Sequence, residues 1–188
     1  MNGNLAEDRS KLWTYADYLT WDDDQRWELI DGRAYLMALP SLDHQRINKR
    51  LLRYMDLYFE GKPCEVFMPI DVRLFPQADD NDYTIVQPDI SVVCNPDQLD
   101  KNNCLGAPTL VVEILSPSTA SHDFVRKMNS YRNAGVREYW IVDPDSKTVM
   151  VNILDNGRYY NTAYGDADAI PVHVLDGCTI NLSDVFAE

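Results

Sequence analysis

The order of hydrophobic and polar residues along the chain predicts many short strands separated by a few helices. Short apolar or alternating runs, bounded by turn-forming residues, are typical of strands. Apolar residues at helical spacing from Ile47 to Tyr58 predict instead a long helix, which Gly61-Lys62-Pro63 ends. Strands mixed with two or three helices indicate a mixed α/β or α+β domain.

Turn and cap residues place the boundaries of these elements. Asp31-Gly32 and Asn156-Gly157 favour two-residue hairpin turns. Thr14 is positioned to cap a short helix, and Ser41 or Asp43 caps the long one. The predicted strands are 27–30, 33–37, 65–68, 71–74, 84–86, 90–93, 110–115, 139–142, 149–154, 159–163 and 179–182, with a second long helix at about 122–133.

Length and composition limit the classes of protein to which this chain can belong. The 188 residues predict one domain, with residues 1–13 as an N-terminal extension and 14–188 as the domain. No apolar run approaches the roughly 20 residues of a membrane span, and the N-terminus lacks the apolar stretch of a signal peptide. These features predict a cytoplasmic protein without a membrane partner.

The net charge of −13 argues against tight, sequence-blind coating of nucleic acid, because affinity for phosphates depends on Lys and Arg. The basic residues are nevertheless concentrated on the two main helices. Residues 43–62 contain five bases against three acids, and residues 121–138 contain four bases against two acids. The local electrostatic field near these helices can oppose the net charge of the chain. The composition is therefore compatible with a narrow basic surface that leads to an acidic site.

The four cysteines, Cys64, Cys94, Cys104 and Cys178, show neither zinc-ligand spacing nor a disulfide framework. Cysteine is often simply buried, and disulfides are rare in a reducing cytosol. The sequence therefore predicts four free, mostly buried thiols.

Two carboxylates interrupt apolar strands. Glu113 lies within an apolar run, and its same-face neighbours Val111 and Leu115 are apolar, which weakens the alternative that Glu113 faces water. Asp89 lies between Pro88 and another apolar run. Two carboxylates on neighbouring strands make a hard oxygen site of the kind that Mg²⁺ prefers.

Other candidate residues have structural alternatives. Asp123, Lys127 and Tyr131 share one helical stripe close after Glu113, and a lysine beside a metal site can position a nucleophile or neutralise phosphate charge. Alternatively, Asp123 and Lys127 form an exposed ion pair and Tyr131 belongs to the core. Glu28 is either a site residue or a solvent-facing strand residue. His44 begins the apolar face of the long helix, which favours a structural histidine over a catalytic base.

These residues resemble a known signature. Pro88-Asp89 followed by Glu113 resembles the PD-(D/E)XK pattern of restriction-endonuclease-like nucleases. Longer strings resemble the Uma-type restriction endonuclease family of bacteria over about residues 14–186. They are WELIDG (27–32), VVEILSPST (111–119), the spacing of Asp123, Lys127 and Tyr131, and GVREYWIVDP (135–144).

The resemblance implies a central mixed sheet flanked by helices, a bound Mg²⁺ or Mn²⁺, and hydrolysis of DNA phosphodiester bonds. It implies that Asp89 and Glu113 hold the metal, with the backbone carbonyl of Ile114 as a further ligand. Glu28 matches an upstream acidic residue that completes the metal shell. The general signature has lysine where Leu115 stands. Within the family the helix supplies that lysine, which makes Lys127 the catalytic lysine and Tyr131, Asp123 and His44 supporting residues.

Two other functions stay open. A nuclease-like scaffold without turnover would act as a binding or interaction module, which the acidic composition and Leu115 favour. A metal-dependent phosphohydrolase of a small substrate is the third possibility. The long hairpin at 149–164 offers an edge for a homodimer or larger homo-oligomer.

Overall fold

The computed structural model describes residues 11–22, 24–116 and 123–187 and has the mixed α/β architecture expected. Its helices are α1 (Tyr15–Tyr18), α2 (Leu42–Phe59), α3 (Asp123–Ala134) and α4 (Leu182–Val185). Its strands are β1 (Trp27–Ile30), β2 (Arg33–Leu36), β3 (Glu65–Phe67), β4 (Asp71–Arg73), β5 (Ile85–Val86), β6 (Ile90–Val93), β7 (Asn103–Leu105), β8 (Leu110–Ile114), β9 (Glu138–Asp143), β10 (Thr148–Asp155), β11 (Arg158–Gly165), β12 (Ala169–Pro171) and β13 (Thr179–Asn181).

A six-stranded mixed sheet forms the centre of the fold, in the order β11-β10-β9-β8-β6-β3. Only β8 and β9 are parallel within it, and α3 lies in the connection between them. Leu110, Val112 and Ile114 of β8 join the cluster that contains the buried face of α2, whereas Val111 joins the cluster that contains α3. Both faces of β8 are therefore covered, which explains its continuous apolar run. Glu113 shares the face of Val111 and points towards α3.

A second sheet of five strands, β2-β1-β5-β4-β7, was not anticipated as a separate unit. Two of its strands give weak sequence signals, because β5 has two residues and β7 begins with the polar Asn103. Asn103 is held by the Asp100 carboxylate, which accepts from its backbone N–H at 2.6 Å, and by the hydroxyl of Tyr15, which donates to Asn103 Oδ1 at 2.9 Å. This sheet carries β1, and with it Glu28, to the side of the central sheet that Glu113 faces.

The hairpin turn at Asp31-Gly32 is confirmed, and both residues have positive φ, at 51° and 73°. Gly32 is also needed for space, because a Cβ there would lie 3.0 Å from the Cβ of Leu12. The Trp13 N–H donates to the Gly32 carbonyl at 2.8 Å, so residues 11–13 pack against this hairpin. Residues 1–10 of the predicted extension lie outside the described residues.

Helix α2 begins as the cap residues predict. The Ser41 hydroxyl, and not Asp43, accepts a hydrogen bond from the His44 backbone N–H at 3.1 Å. Ile47, Leu51 and Met55 are buried against the central sheet. Across the part of the chain that the structure describes, no helix is long and apolar enough to cross a membrane.

The prediction of four free thiols is wrong for two of the cysteines, because Cys64 and Cys94 form a disulfide. Cys64 directly precedes Glu65 of β3, and Cys94 directly follows Val93 of β6. Because Glu65 lies opposite Val93 in the antiparallel pairing of these strands, the two cysteines also lie opposite each other. The 30-residue separation in sequence conceals this cross-strand neighbourhood. Cys104 and Cys178 are free and buried, as expected.

A thiol count tests this assignment. Burial raises the pKa of Cys104 to about 11 and also raises the pKa of Cys178, so both thiols stay protonated and unreactive at pH 8. We expect Ellman's reagent to find no rapidly reacting thiol in the native protein, two after unfolding in guanidinium chloride, and four after unfolding with reduction. Four thiols in the unfolded, unreduced protein would contradict the disulfide.

Candidate active site

The structure brings most of the predicted site residues to one depression at the carboxyl end of β8. The depression has a volume of about 100 Å³ and is lined by residues of β1, β2, β8, α2 and α3. The predicted residues in its lining are Glu28, His44, Asp89, Glu113, Ile114 and Lys127. Tyr131 joins them through a hydrogen bond to Glu113, whereas the side chain of Asp123 lies outside the described residues.

Asp89 stands at the start of β6, beside the end of its antiparallel neighbour β8. Its Oδ2 accepts the backbone N–H of Ile114 at 2.7 Å and lies 3.2 Å from His44 Nε2. Within the described residues no hydrogen bond reaches Oδ1 of this carboxylate. The carbonyl of Ile114 points to the same edge of β8 as its N–H, because both groups of one strand residue face the same neighbour. Asp89 Oδ1 and the Ile114 carbonyl are therefore on the same side of the site.

Glu113 is a largely buried carboxylate of the site, with a side chain 13% exposed. Its Oε1 accepts hydrogen bonds from Lys127 Nζ at 3.0 Å and from the Tyr131 hydroxyl at 2.5 Å. Burial raises the pKa of Glu113 to about 7, with Lys127 opposing the shift and Glu28 and Asp89 adding to it. The structure describes no donor to Oε2, which leaves that oxygen for a ligand.

Lys127 bridges two carboxylates from different elements. Its Nζ donates to Glu28 Oε1 at 2.8 Å and to Glu113 Oε1 at 3.0 Å. Burial opposes its charge, but the two carboxylates outweigh this and raise the pKa of Lys127 above its ordinary value. The amine is therefore protonated at neutral pH and acts as a donor and a positive charge. An ammonium has three donors, so one N–H remains for a substrate.

Glu28 is buried in β1 and is held from two sides. Its Oε1 accepts the backbone N–H of Gln87 at 2.7 Å as well as Lys127. Sequence reasoning missed Gln87, whose side chain also donates to Asp71 at 2.7 Å and accepts from Arg26. The only available signal was its position directly before Pro88-Asp89. The contacts of Glu28 make it the anchor of the lysine.

His44 and Tyr131 support the two carboxylates. His44 is buried in the first turn of α2, and its Nδ1 has no partner within the described structure. With its proton on Nε2, the imidazole donates to Asp89 Oδ2. Burial and the neighbouring Glu113 raise the pKa of Tyr131 well above its ordinary value, so its hydroxyl stays a donor.

Removing the Tyr131 hydroxyl tests how strongly it supports Glu113. We expect Tyr131→Phe to lower the free energy of unfolding by about 1.5 kcal/mol, because a buried hydrogen bond to a charged group is lost. Denaturant unfolding followed by circular dichroism measures the change. The matched control is Tyr160→Phe, since that side chain is 59% exposed and its replacement should leave stability unchanged. Equal stability of the two variants would contradict this role of Tyr131.

The donor set fits a hard divalent cation held by few protein ligands. Over the described ranges, no group of three or more His, Cys, Asp or Glu side chains is arranged to hold a metal ion. Asp89 and Glu113 each have one carboxylate oxygen without a described donor. Both residues lie beside the Ile114 carbonyl at the end of β8. Mg²⁺ is commonly bound by one or two carboxylates and keeps several waters. Three carboxylates against one lysine also leave the site negative, which favours a cation.

The chain is similar to known proteins over most of its length. A family model described as "Putative restriction endonuclease" (Uma2) matches residues 15–183. An uncharacterized protein of Synechocystis sp. (strain ATCC 27184 / PCC 6803 / Kazusa) is 30% identical over 158 residues, covering 82% of this chain and 81% of that protein. A second uncharacterized protein of the same organism is 27% identical over 139 residues, covering 71% and 76%.

A solved structure shares the fold. The crystal structure of "a putative nuclease belonging to DUF820" from Anabaena variabilis ATCC 29413 has a TM-score of 0.76 at 18% identity. The match covers 93% of this chain and 97% of that one, so the fold extends over nearly the whole of both. The match of the family model to residues 15–183 and the 30% identical relative show that this chain belongs to the Uma2 restriction endonuclease family.

Proposed function

We propose that this protein is a divalent-metal-dependent endonuclease that hydrolyses phosphodiester bonds of DNA. The observation that carries the proposal is the placement of Asp89 and Glu113 at adjacent ends of β6 and β8, with the Lys127 ammonium 3.0 Å from Glu113 Oε1. Membership of the Uma2 family and the nuclease-like fold support it.

Asp89 Oδ1, Glu113 Oε2 and the Ile114 carbonyl are the groups that would hold Mg²⁺ or Mn²⁺. When bound, the cation supplies Lewis-acid stabilisation of the charge that develops on the phosphate. Glu28 positions the lysine in this proposal, because its Oε1 accepts from Gln87 and Lys127 and balances the charge of the ammonium. Its other oxygen, Oε2, is the one that would complete the metal shell as the family resemblance implies.

Lys127 is the chain's own electrophilic group in this proposal. Two of its three N–H donors are fixed by Glu28 and Glu113, which sets the direction of the third. That donor stabilises negative charge on a phosphate oxygen or orients the attacking water. Because the ammonium is buried and already oriented, little reorganisation is needed during the reaction. Helix α3 thus supplies the lysine that Leu115 does not.

DNA is the proposed substrate because the description of the family is "Putative restriction endonuclease". The two other functions considered from the sequence predict different behaviour. A binding module would bind DNA or another partner without turnover. A phosphohydrolase of a small substrate would hydrolyse a chromogenic phosphodiester, and long DNA would not compete with that substrate.

Nicking of supercoiled plasmid is the direct test. We expect wild-type protein to convert plasmid to open circles with Mg²⁺ or Mn²⁺ and not with EDTA. Asp89→Asn keeps the shape and the hydrogen bond from Ile114 but removes the charge, so we expect a loss of about 10²-fold or more in rate. Asp97→Asn, in the exposed turn after β6, is the matched control and should cut like the wild type. Equal nicking by wild type and Asp89→Asn would point to a contaminating nuclease.

A further inference from the structure

Two arginines stand at the mouth of the active-site depression, one directly before β1 and the other on α3. Arg26 is exposed and lines the depression. Arg126 is exposed on α3, one residue before Lys127, and its Nη1 donates to the hydroxyl of Tyr35, which also lines the depression. Neither arginine forms a salt bridge with a residue that the structure describes.

Arg26 is held in place by a neutral side chain. Its Nε and Nη2 both donate to Gln87 Oε1, at 3.0 and 2.8 Å. The same Gln87 donates through its backbone N–H to Glu28, so the guanidinium is fixed relative to Lys127. Asp71 accepts from the side-chain amide of the same Gln87 at 2.7 Å, so Gln87 links that carboxylate to Arg26. At least three of the five guanidinium N–H donors remain for a ligand.

Arg126 is likewise held by a neutral side chain. The Tyr35 hydroxyl takes one of its donors, and the Tyr35 ring lies 5.7 Å from its guanidinium carbon. Its guanidinium is therefore oriented by a neutral group, and no carboxylate among the described residues pairs with it. Guanidinium groups in this state match phosphate oxygens, with which they form paired, charge-assisted hydrogen bonds.

We propose that Arg26 and Arg126 bind backbone phosphates of a polynucleotide whose scissile phosphate lies in the depression. The inference rests on the proposed function for its ligand. The two arginines come from separate elements, the start of β1 and α3, with Glu28 and Lys127 nearby. A single phosphate can occupy one of these positions, whereas a strand with successive phosphates can occupy both.

Equilibrium binding of a fluorescein-labelled DNA duplex, measured by anisotropy with Ca²⁺ at several salt concentrations, tests the inference separately from cleavage. We expect the double variant R26A/R126A to bind about tenfold more weakly, because charge-assisted hydrogen bonds are lost. We also expect the slope of log affinity against log salt to flatten by about 2, since each duplex phosphate contact contributes about 0.9. R26K/R126K keeps the charges and should keep the slope.

The matched control is R53A/R158A, which removes the same charge from α2 and from the start of β11, away from the depression. Its affinity for DNA should be within about twofold of that of the wild type, since salt screens the interaction between bound DNA and distant surface charges. Inorganic phosphate added as a competitor should displace DNA only at concentrations far above those of a polynucleotide.

The outcomes separate the two proposals. If wild type cleaves DNA and R26A/R126A binds with the affinity and slope of R53A/R158A, the inference is wrong and the proposed function stands. If no cleavage occurs but binding depends on the two arginines, the inference stands and the nuclease proposal fails. Absence of DNA binding by the wild type at low salt would overturn the inference as well.

Discussion

Replacing Lys127 by methionine is expected to reduce kcat for DNA cleavage by about 10²- to 10³-fold, because a buried, oriented donor to the reacting phosphate is removed. Methionine fills a similar volume without the charge. Glu28 and Glu113 would then face each other without the cation that separates them. The loss should appear in kcat more than in KM, since the ammonium is enclosed by the site and the proposed strand contacts lie outside it. Single-turnover cleavage of a labelled duplex measures the change.

The control for this variant is Lys49→Met on α2, where the replaced side chain is exposed. Lys49→Met should cleave at the wild-type rate. Circular dichroism of both variants establishes that each is folded at the assay temperature. A folded Lys127→Met protein with wild-type kcat would contradict the role given to this lysine.

The largest expected effect on stability comes from Asp82, which supports the five-stranded sheet. Asp82 is 2% exposed and receives two hydrogen bonds from Arg73, Nε to Oδ2 at 2.7 Å and Nη2 to Oδ1 at 2.6 Å. The guanidinium also lies over the ring of Tyr15, 4.3 Å from its centroid. Asp82→Ala leaves a buried guanidinium without its principal partner, and we expect the free energy of unfolding to fall by about 3 to 5 kcal/mol.

Asp80 provides the matched control, because it contacts the same guanidinium at 2.8 Å from a side chain that is 44% exposed. We expect Asp80→Asn to cost at most about 1 kcal/mol, because the solvent-exposed ion pair is weak and asparagine, unlike alanine, tolerates the φ of 57° at this position. Guanidinium chloride unfolding of both variants measures the difference. Losses of similar size in the two variants would show that burial does not decide the strength of this pair.

The elements with strong local patterns could be predicted from the sequence. The continuous apolar run of β8, the helical spacing of α2 and the Asp31-Gly32 turn each reflect local chemistry, and the structure confirms them. The segment β7 escaped prediction, because its strand conformation depends on pairing with β4 and on the Asp100 carboxylate.

Long-range pairings were the hardest to predict. Cys64 and Cys94 meet only because β3 pairs with β6, and no local signal marks that register. The residues of the candidate site also differ in whether local or long-range contacts define them. Glu113 could be predicted from its own surroundings, since a carboxylate inside an apolar strand needs a partner.

The contact of Lys127 with Glu28, which is 99 residues away in sequence, could not be derived from spacing. The helical stripe and the family resemblance indicated the lysine as a candidate, but the bridge between two carboxylates is a property of the packed sheets. Gln87 became visible only through the hydrogen bonds of its backbone and side chain.

Anomalous scattering from crystals soaked in Mn²⁺ is the most direct test of the proposed metal site, because it locates the metal without relying on activity. We expect one strong peak bonded to Asp89, Glu113 and the Ile114 carbonyl, and the loss of that peak in Asp89→Asn crystals. Absence of a peak at this position in well-ordered wild-type crystals, or a peak that persists in Asp89→Asn, would contradict the proposed site.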